Sequence, residues 1–174
     1  MDFSLTPGTD VLRRTPNALR AMLVDLPGDW IHSDEGLDTW SPYQAIGHLT
    51  HIEERDWIDR TRVILEHGTE RIFDSVDREA GFERFRDWPL AELLDRFASL
   101  RMRNLETLAS LVDVTDLSRR GVHPTFGEVT LSQLLSTWVV HDLNHLGQIV
   151  KTMAKQYTQA VGPWREFLPI IDAP

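Results

Sequence analysis

The chain has 174 residues, of which 41% are hydrophobic and 26% are charged, as in an ordinary soluble globular domain. Its net charge of −9 disfavours non-specific binding to nucleic acid, because contacts with phosphates require clustered positive charge. The absence of cysteine excludes disulfides, thiolate metal ligands and a cysteine nucleophile. Since neither a membrane span nor a signal peptide is visible, we expect a single cytoplasmic domain over residues 1–174.

Two of the predicted helices lie in the first half of the chain. The first covers about residues 10–25, although Thr15-Pro16 could instead mark its start, because proline suits the first turn of a helix. The second begins at Ser41-Pro42-Tyr43-Gln44, a capping box with proline at the first helical position. It is predicted to run to His67, where Gly68 provides a stop signal.

The second half of the chain predicts two more helices. The third opens at Pro89, and the fourth opens at the capping box Thr130-Leu131-Ser132-Gln133 and continues to about Ala160. No alternating segment is long enough to predict a strand. The connections 68–88 and 113–129 exceed the roughly 2–8 residues usual in an up-down bundle, so we expect one of them to cross the bundle. The predicted fold is therefore an all-α four-helix bundle.

The fourth predicted helix carries two histidines, His141 and His145, four residues apart. On a helix this spacing places both imidazoles on one face, about 6 Å apart, so that two ring nitrogens can reach a single metal ion. His48, on the second predicted helix, is a third candidate ligand, and such a set forms an open site in a bundle. Imidazole suits zinc, nickel, iron or copper. Alternatively, the histidines bind no metal and line a polar seam.

Several charged residues fall within the apolar faces of the predicted helices. Glu53, Asp56 and Arg60 do so on the second helix, Arg101 on the third and Asp142 on the fourth. Buried charges are unfavourable unless they are paired, so we expect some of the carboxylates to neutralise the two arginines inside the bundle. The same carboxylates could instead orient metal-bound imidazoles.

The remaining histidines and the tryptophans have simpler interpretations. His51 lies further from the apolar face than His48, and we expect it to be exposed to solvent. His67 is at a helix end, where a cation offsets the helix dipole. His123 lies in a loop before the fourth helix and is a more distant candidate for a pocket. Core positions are predicted for Trp40, Trp57, Trp138 and Trp164.

In combination, three motifs make the sequence resemble the DinB/YfiT-like superfamily of damage-inducible metalloproteins. They are Trp40-Ser41-Pro42 followed by His48-Leu49 and Glu53, then His141-Asp142-Leu143-Asn144-His145-Leu146-Gly147-Gln148, and finally Ala160-Val161-Gly162-Pro163-Trp164. The resemblance covers nearly the whole chain. It implies a four-helix bundle in up-down-down-up order, with a crossover between the second and third helices.

The resemblance also implies a homodimer and a divalent metal ion, most simply zinc or nickel, held by His48, His141 and His145. Some relatives are transferases or isomerases that use a low-molecular-weight bacterial thiol, and others resemble metal-dependent hydrolases. We therefore expect a metal-dependent thiol S-transferase that acts on small electrophilic substrates, with neither nucleic acid nor a membrane as partner. The alternatives are a hydrolase that uses a metal-bound water and a non-enzymatic, stress-associated metal-binding protein.

The number of protein ligands separates an enzyme from a structural metal site. An ion held by three imidazoles has an open position, at which it lowers the pKa of a bound water or thiol. A structural zinc ion usually has four protein ligands. A fourth ligand, such as His51, Glu53 or Asp142, would favour a structural role, and a site that faces a pocket would favour an enzyme.

Overall fold

The structure, a computed structural model, describes residues 3–172. Its long helices are α1 (Leu5–Leu23), α3 (Pro42–Arg55) continued by α4 (Trp57–His67), α6 (Leu90–Leu111) and α7 (Leu131–Lys155). The connections contain the short helices α2 (Gly28–His32) and α5 (Ala80–Phe85) and the hairpin strands β1 (Arg120–His123) and β2 (Gly127–Thr130). Three short 3₁₀ helices are Val114–Ser118, Gly162–Phe167 and Pro169–Ile171. The prediction of a helical bundle is confirmed.

Both predicted capping boxes are present and fix where the histidine-bearing helices begin. The backbone N–H of Gln44 donates to Ser41 Oγ over 3.2 Å, and the backbone N–H of Ser41 donates to Gln44 Oε1 over 2.9 Å. Thr130 and Gln133 make the same pair of bonds, 3.1 and 2.8 Å long. These bonds satisfy N–H groups that have no partner within the helix, so α3 and α7 start at defined residues.

The first helix starts at Leu5, earlier than predicted, and it contains Pro16 in its interior. The alternative start at Thr15-Pro16 is therefore wrong. Proline has no N–H to donate to the carbonyl four residues before it. That carbonyl, on Leu12, instead accepts a 2.7 Å hydrogen bond from Nη1 of Arg101. A side chain of another helix thus satisfies the group that Pro16 leaves without a partner.

The second and fourth helices also differ from the prediction at their ends. The second is interrupted at Asp56, whose φ of −123° and ψ of −72° are not helical, and this residue separates α3 from α4. The apolar face continues on both sides of Asp56, so the periodicity did not reveal the break. The fourth helix ends at Lys155, before the predicted Ala160.

The prediction that the chain has no strand is wrong, because β1 and β2 form an antiparallel hairpin. Each strand has four residues, which is too short for alternation to be distinctive. The hairpin packs directly on α4 at Gly121, where a Cβ would lie 2.7 Å from Cγ1 of Ile64 and 2.8 Å from the ring of Phe73. The N–H of Phe73 donates to the carbonyl of Val122 over 2.9 Å, which ties the connection after α4 to the hairpin.

Contacts near the helix ends show how the helices run. Arg20, near the end of α1, pairs with Asp95, near the start of α6, so these two helices are antiparallel. The hydroxyl of Tyr43, at the start of α3, lies 2.6 Å from the carbonyl oxygens of Phe85 and Trp88, just before α6. The helices α3 and α6 therefore begin at the same end. These contacts agree with the up-down-down-up order and its crossover, which stay predictions.

A buried ion-pair network lies at the middle of the bundle, as the charge pattern predicted. Arg101 is fully buried and donates to Glu53 Oε1 from Nε and Nη2, over 3.0 and 2.8 Å. It also donates to both carboxylate oxygens of Asp142, over 2.6 and 2.9 Å. Together with the Leu12 carbonyl, these bonds join α1, α3, α6 and α7. Asp56 pairs separately with Arg60. Within the described residues, no helix is both long and apolar enough to cross a membrane.

Candidate metal centre

Three histidine rings converge between α3 and α7. His48 comes from α3, and His141 and His145 project from one face of α7, four residues apart. One potential ligand atom from each ring lies within 4.8 Å of the other two. The Nε2 atoms of His48 and His141 are 3.1 Å apart. The structure thus brings together all three histidines that the sequence singled out, and their binding of a metal stays a prediction.

The hydrogen bonds of His48 and His145 show which nitrogen of each ring has a lone pair free to bind a metal ion. His48 Nδ1 donates to the backbone carbonyl of Arg78 over 2.8 Å, since a carbonyl can only accept. His145 Nδ1 donates to Oε1 of Gln148, also over 2.8 Å. A neutral imidazole carries one proton, so Nε2 of each ring is left as an acceptor or a metal ligand. An outer partner on Nδ1 is the usual arrangement of histidines that bind metals.

His141 completes the set of donors and shows why a cation fits. Its Nε2 faces the lone pair of His48 Nε2, and two nitrogens at 3.1 Å need a proton or a cation between them. A shared proton would serve one pair of rings, whereas a metal ion would also accept the lone pair of His145. Three imidazole nitrogens suit zinc, nickel, iron or copper. Within residues 3–172, Nδ1 of His141 is buried without a hydrogen-bond partner, and Trp57 lies edge-to-face with this ring at 5.3 Å.

All three rings are in the protonation state that metal binding requires. Burial, with a smaller contribution from neighbouring histidines, lowers the pKa of His48 to about 4 and the pKa of His141 to about 2. Burial also lowers the pKa of His145. Buried imidazoles lose the charged form first, because water no longer solvates the imidazolium. The three rings are therefore neutral at pH 7, with lone pairs available to an ion.

Trp40 forms one wall of the site. Its ring is parallel to the ring of His145, with an interplanar angle of 2° and centroids 5.7 Å apart. It also contacts His48, at a centroid distance of 4.9 Å, and packs edge-on against Phe82. Trp40 therefore restricts the rotation of two candidate ligands. The sequence predicted a core position, and the structure instead places this half-buried ring between the site and solvent.

Two further predictions of side-chain exposure are wrong. His51 is only 9% exposed, because α5 packs across α3 at this point. A Cβ at Gly81 of α5 would lie 2.5 Å from the carbonyl oxygen of Gly47 and 3.0 Å from Cβ of His51, which shows how closely the two helices approach.

Trp164 was predicted to lie in the core and is 70% exposed. It follows the end of α7, in a 3₁₀ turn that leaves its ring outside the bundle. Trp57 and Trp138 are buried as predicted.

The carboxylates near the site have other partners. Glu53 and Asp142 face Arg101, and Asp56 faces Arg60. The group of potential ligands within residues 3–172 contains the three histidines and no carboxylate. Among the described residues, carboxylates do not orient the imidazoles. The backbone carbonyl of Arg78 binds His48, and Gln148 binds His145. No fourth protein ligand accompanies the three rings in the described part of the chain.

The site opens into a cavity of about 380 Å³. The three histidines lie at one end, and one face of α7 provides Gln133 and Thr137 further along. The hairpin contributes His123, the loop histidine that the sequence proposed for a pocket, and Phe126. Residues of the cavity that sequence reasoning missed are Arg60, Phe73, Val76 and Arg78. Periodicity gives no signal for Phe73, Val76 and Arg78, because they lie in the connection between α4 and α5.

Comparison with known proteins agrees with this arrangement. The chain belongs to the DinB superfamily, whose family model matches residues 12–149. It is also similar in structure to YfiT from Bacillus subtilis, described as a probable metal-dependent hydrolase with an unusual four-helix bundle topology. The TM-score is 0.76 at 21% sequence identity, over 87% of each chain, so this likeness establishes the fold alone. No curated protein matches the sequence.

Proposed function

We propose that this protein is a metal-dependent enzyme, in which His48, His141 and His145 hold a divalent zinc or nickel ion beside a substrate pocket. One observation carries the proposal: three neutral imidazoles converge at the end of a cavity, and the described residues offer no fourth protein ligand. Three protein ligands with an open position are typical of catalytic zinc, whereas structural zinc is usually closed by four. The description of YfiT as a probable metal-dependent hydrolase supports the same class.

The residues around the ligands prepare the site for an ion. The Arg78 carbonyl and Gln148 hold the protons of His48 and His145 on the outer side of each ring. Trp40 packs against both rings, which limits the motion of the donors and the access of water. A divalent ion bound there would supply a Lewis acid that lowers the pKa of a bound thiol or water.

Within this class we infer transfer of a low-molecular-weight thiol to a small electrophilic substrate. The chain has no cysteine, so any thiol nucleophile has to come from a cosubstrate. The resemblance to thiol-dependent relatives supports this branch, and a cavity of about 380 Å³ is within the range that small-molecule sites occupy. Hydrolysis is the second candidate, and the description of YfiT favours it.

The test combines metal analysis with two activity screens on the same purified protein. One screen offers low-molecular-weight thiols together with a chromogenic electrophile, and the other offers ester and amide substrates without thiol. We expect conjugation that requires both the metal and one particular thiol. Metal-dependent turnover without thiol would identify a hydrolase instead. Bound metal with no turnover in either screen would favour the non-enzymatic alternative. His67→Ala is the control, because this histidine lies at the exposed end of α4 and outside the cavity.

A further inference from the structure

The charges that line the cavity are not balanced. Arg60 is neutralised by Asp56, with which it forms an ion pair. Arg78 has no ion pair among residues 3–172, although Asp77 and Glu79 flank it in the sequence. Asp77 is engaged locally, since its Oδ1 accepts the backbone N–H of Glu79 over 2.9 Å. Among the residues that line the cavity, Arg78, whose side chain is also exposed to solvent, therefore adds one positive charge that no other lining residue offsets, in a chain whose net charge is −9.

The positive charge of Arg78 acts across the cavity. Arg78 and His123 line the same cavity, and the charge of Arg78 lowers the pKa of His123, after the larger effects of burial and of Arg60. It also opposes the effect of burial on the pKa of Asp56. Both groups line the same cavity as Arg78, so the guanidinium is close to the shared space. A cationic side chain that lines a partly enclosed cavity attracts anions, and arginine binds carboxylates through paired N–H groups.

His123 adds a neutral hydrogen-bond donor to the same space. Its Nδ1 accepts the backbone N–H groups of Thr125 and Phe126, over 3.1 and 3.3 Å. A neutral imidazole that accepts at Nδ1 carries its proton on Nε2. In the described part of the chain Nε2 of His123 has no hydrogen-bond partner, so this N–H is available to a ligand.

The rest of this end of the cavity is apolar. Phe126, at the hairpin turn, is 73% exposed and stacks on His123 with ring centroids 4.5 Å apart. Phe73 lies edge-on to the ring of His123, and Val129 and Leu134 also line the cavity. An exposed aromatic ring beside a cavity gains from contact with an apolar ligand, because that contact removes its surface from water.

We propose that the cavity binds a low-molecular-weight organic acid, with the carboxylate on Arg78 and Nε2–H of His123. The apolar body of the ligand lies against Phe126 and Phe73, and its remaining part reaches the three histidines. One free guanidinium and one neutral donor suit a monoanion. This inference rests on the proposed function, since it assigns a substrate class to the same site.

Binding of matched probes to the zinc-loaded protein tests the inference. The probes are 3-phenylpropionate and its neutral analogue 3-phenylpropanamide, measured by titration calorimetry. We expect the acid to bind about tenfold tighter or better, because a charge-assisted hydrogen bond is stronger than a neutral one. Arg78→Met should remove this preference and leave binding of the amide unchanged. Arg103→Met, at an exposed position on α6 away from the cavity, should have no effect.

A second pair of variants tests the donor on the hairpin. His123→Phe keeps an aromatic ring but removes both nitrogens, and we expect it to weaken binding of the acid. His123→Gln keeps an acceptor and a donor and should restore part of the preference. Equal affinity of the protein for acid and amide would overturn the inference. So would the absence of acid binding at probe concentrations up to about 10 mM, since a ligand with a millimolar Kd would be detected there.

The design separates this inference from the metal-enzyme proposal. A preference for the acid that survives Arg78→Met would place the carboxylate on the zinc ion, and this result overturns the assignment to Arg78. The same titration is carried out on His141→Ala, whose metal content is also determined. It measures the preference for the acid over the amide in a protein that lacks one candidate metal ligand. If the preference persists in that variant and disappears with Arg78→Met, the acid site stands even where the metal-enzyme proposal fails.

Discussion

Arg101 on α6 holds Asp142 on α7 through two hydrogen bonds, 2.6 and 2.9 Å long, and Asp142 is the residue next to His141. The same guanidinium binds Glu53, five residues after His48 on α3. His48 and His141, whose Nε2 atoms face each other, are thus on two helices that the same arginine holds together. The ion-pair network is separate from the candidate ligands, and it joins the two helices that carry them.

Replacing Arg101 with alanine should reduce the free energy of unfolding by about 3–5 kcal/mol. The loss follows because Glu53 and Asp142 would remain buried without a counter-charge. Chemical denaturation of the metal-free protein measures it. Arg103→Ala is the matched control, since this residue is exposed on the same helix and should change stability by less than about 0.5 kcal/mol. A similarly small loss for Arg101→Ala would show that the network does not stabilise the fold.

Gln148→Leu should weaken zinc binding about tenfold or more while leaving the helices intact. Leucine removes the acceptor of the 2.8 Å hydrogen bond from His145 Nδ1, so the ring is no longer held with Nε2 towards the centre. Competition with a chelating indicator measures the affinity. Gln159→Leu, at an exposed position beyond α7, is the control and should bind zinc as the wild type does. Unchanged affinity in Gln148→Leu would mean that this bond does not orient the ligand.

Stability should decrease as the pH falls from about 6.5 to about 4. The pKa of His48 is about 4 in the folded protein, below the ordinary 6.5 that the unfolded chain retains. The unfolded state therefore takes up the proton first, so the contribution of His48 is fully present above pH 6.5 and is lost by about pH 4. The contribution of His48 alone to the free energy of unfolding is about 3 kcal/mol.

Denaturation at a series of pH values, in the presence of a chelator, measures this effect. Because carboxylates also contribute to acid destabilisation, the informative quantity is the difference between the wild type and His48→Gln. We expect a shallower pH dependence in the variant. Parallel curves for the two proteins would contradict a lowered pKa at His48.

Two glycine substitutions should change stability in opposite directions. Gly81→Ala should destabilise the protein by about 1–3 kcal/mol, because the new Cβ would lie 2.5 Å from the backbone carbonyl oxygen of Gly47. Gly147→Ala should stabilise it by about 0.5–1 kcal/mol, since Gly147 is inside α7 and has open space around its Cβ position. Thermal unfolding of both variants measures the contrast. Equal effects would mean that the approach of α5 to α3 is not tight.

Local signals in the sequence predicted much of the bundle and the three histidines that converge in it. The capping residues Ser41 and Thr130 set the start of α3 and α7 through bonds within four residues, so the sequence was sufficient there. The spacing of His141 and His145 is also a property of one helix. Arg101 was predicted to be buried because the apolar residues around it define a single face.

Features that depend on the path of the connections were missed. His51 is buried because α5 covers it, and nothing in the periodicity of α3 shows where the segment after α4 returns. Arg78 reaches the site for the same reason, through a backbone carbonyl that any residue would offer. The hairpin strands are too short for alternation, and the break at Asp56 interrupts a face that stays apolar on both sides. These features arise from tertiary contacts.

The measurement that tests the central claim most directly is the metal content of the purified protein and its histidine variants. Elemental analysis, with circular dichroism as the check on folding, should find about one zinc or nickel ion per chain in the wild type. His48→Ala, His141→Ala and His145→Ala should each lose most of the metal and keep their helicity. His51→Ala, a buried histidine of the same helix as His48, should retain it. Metal that is absent from the wild type after incubation with either ion, or retained in all three ligand variants, would contradict the account.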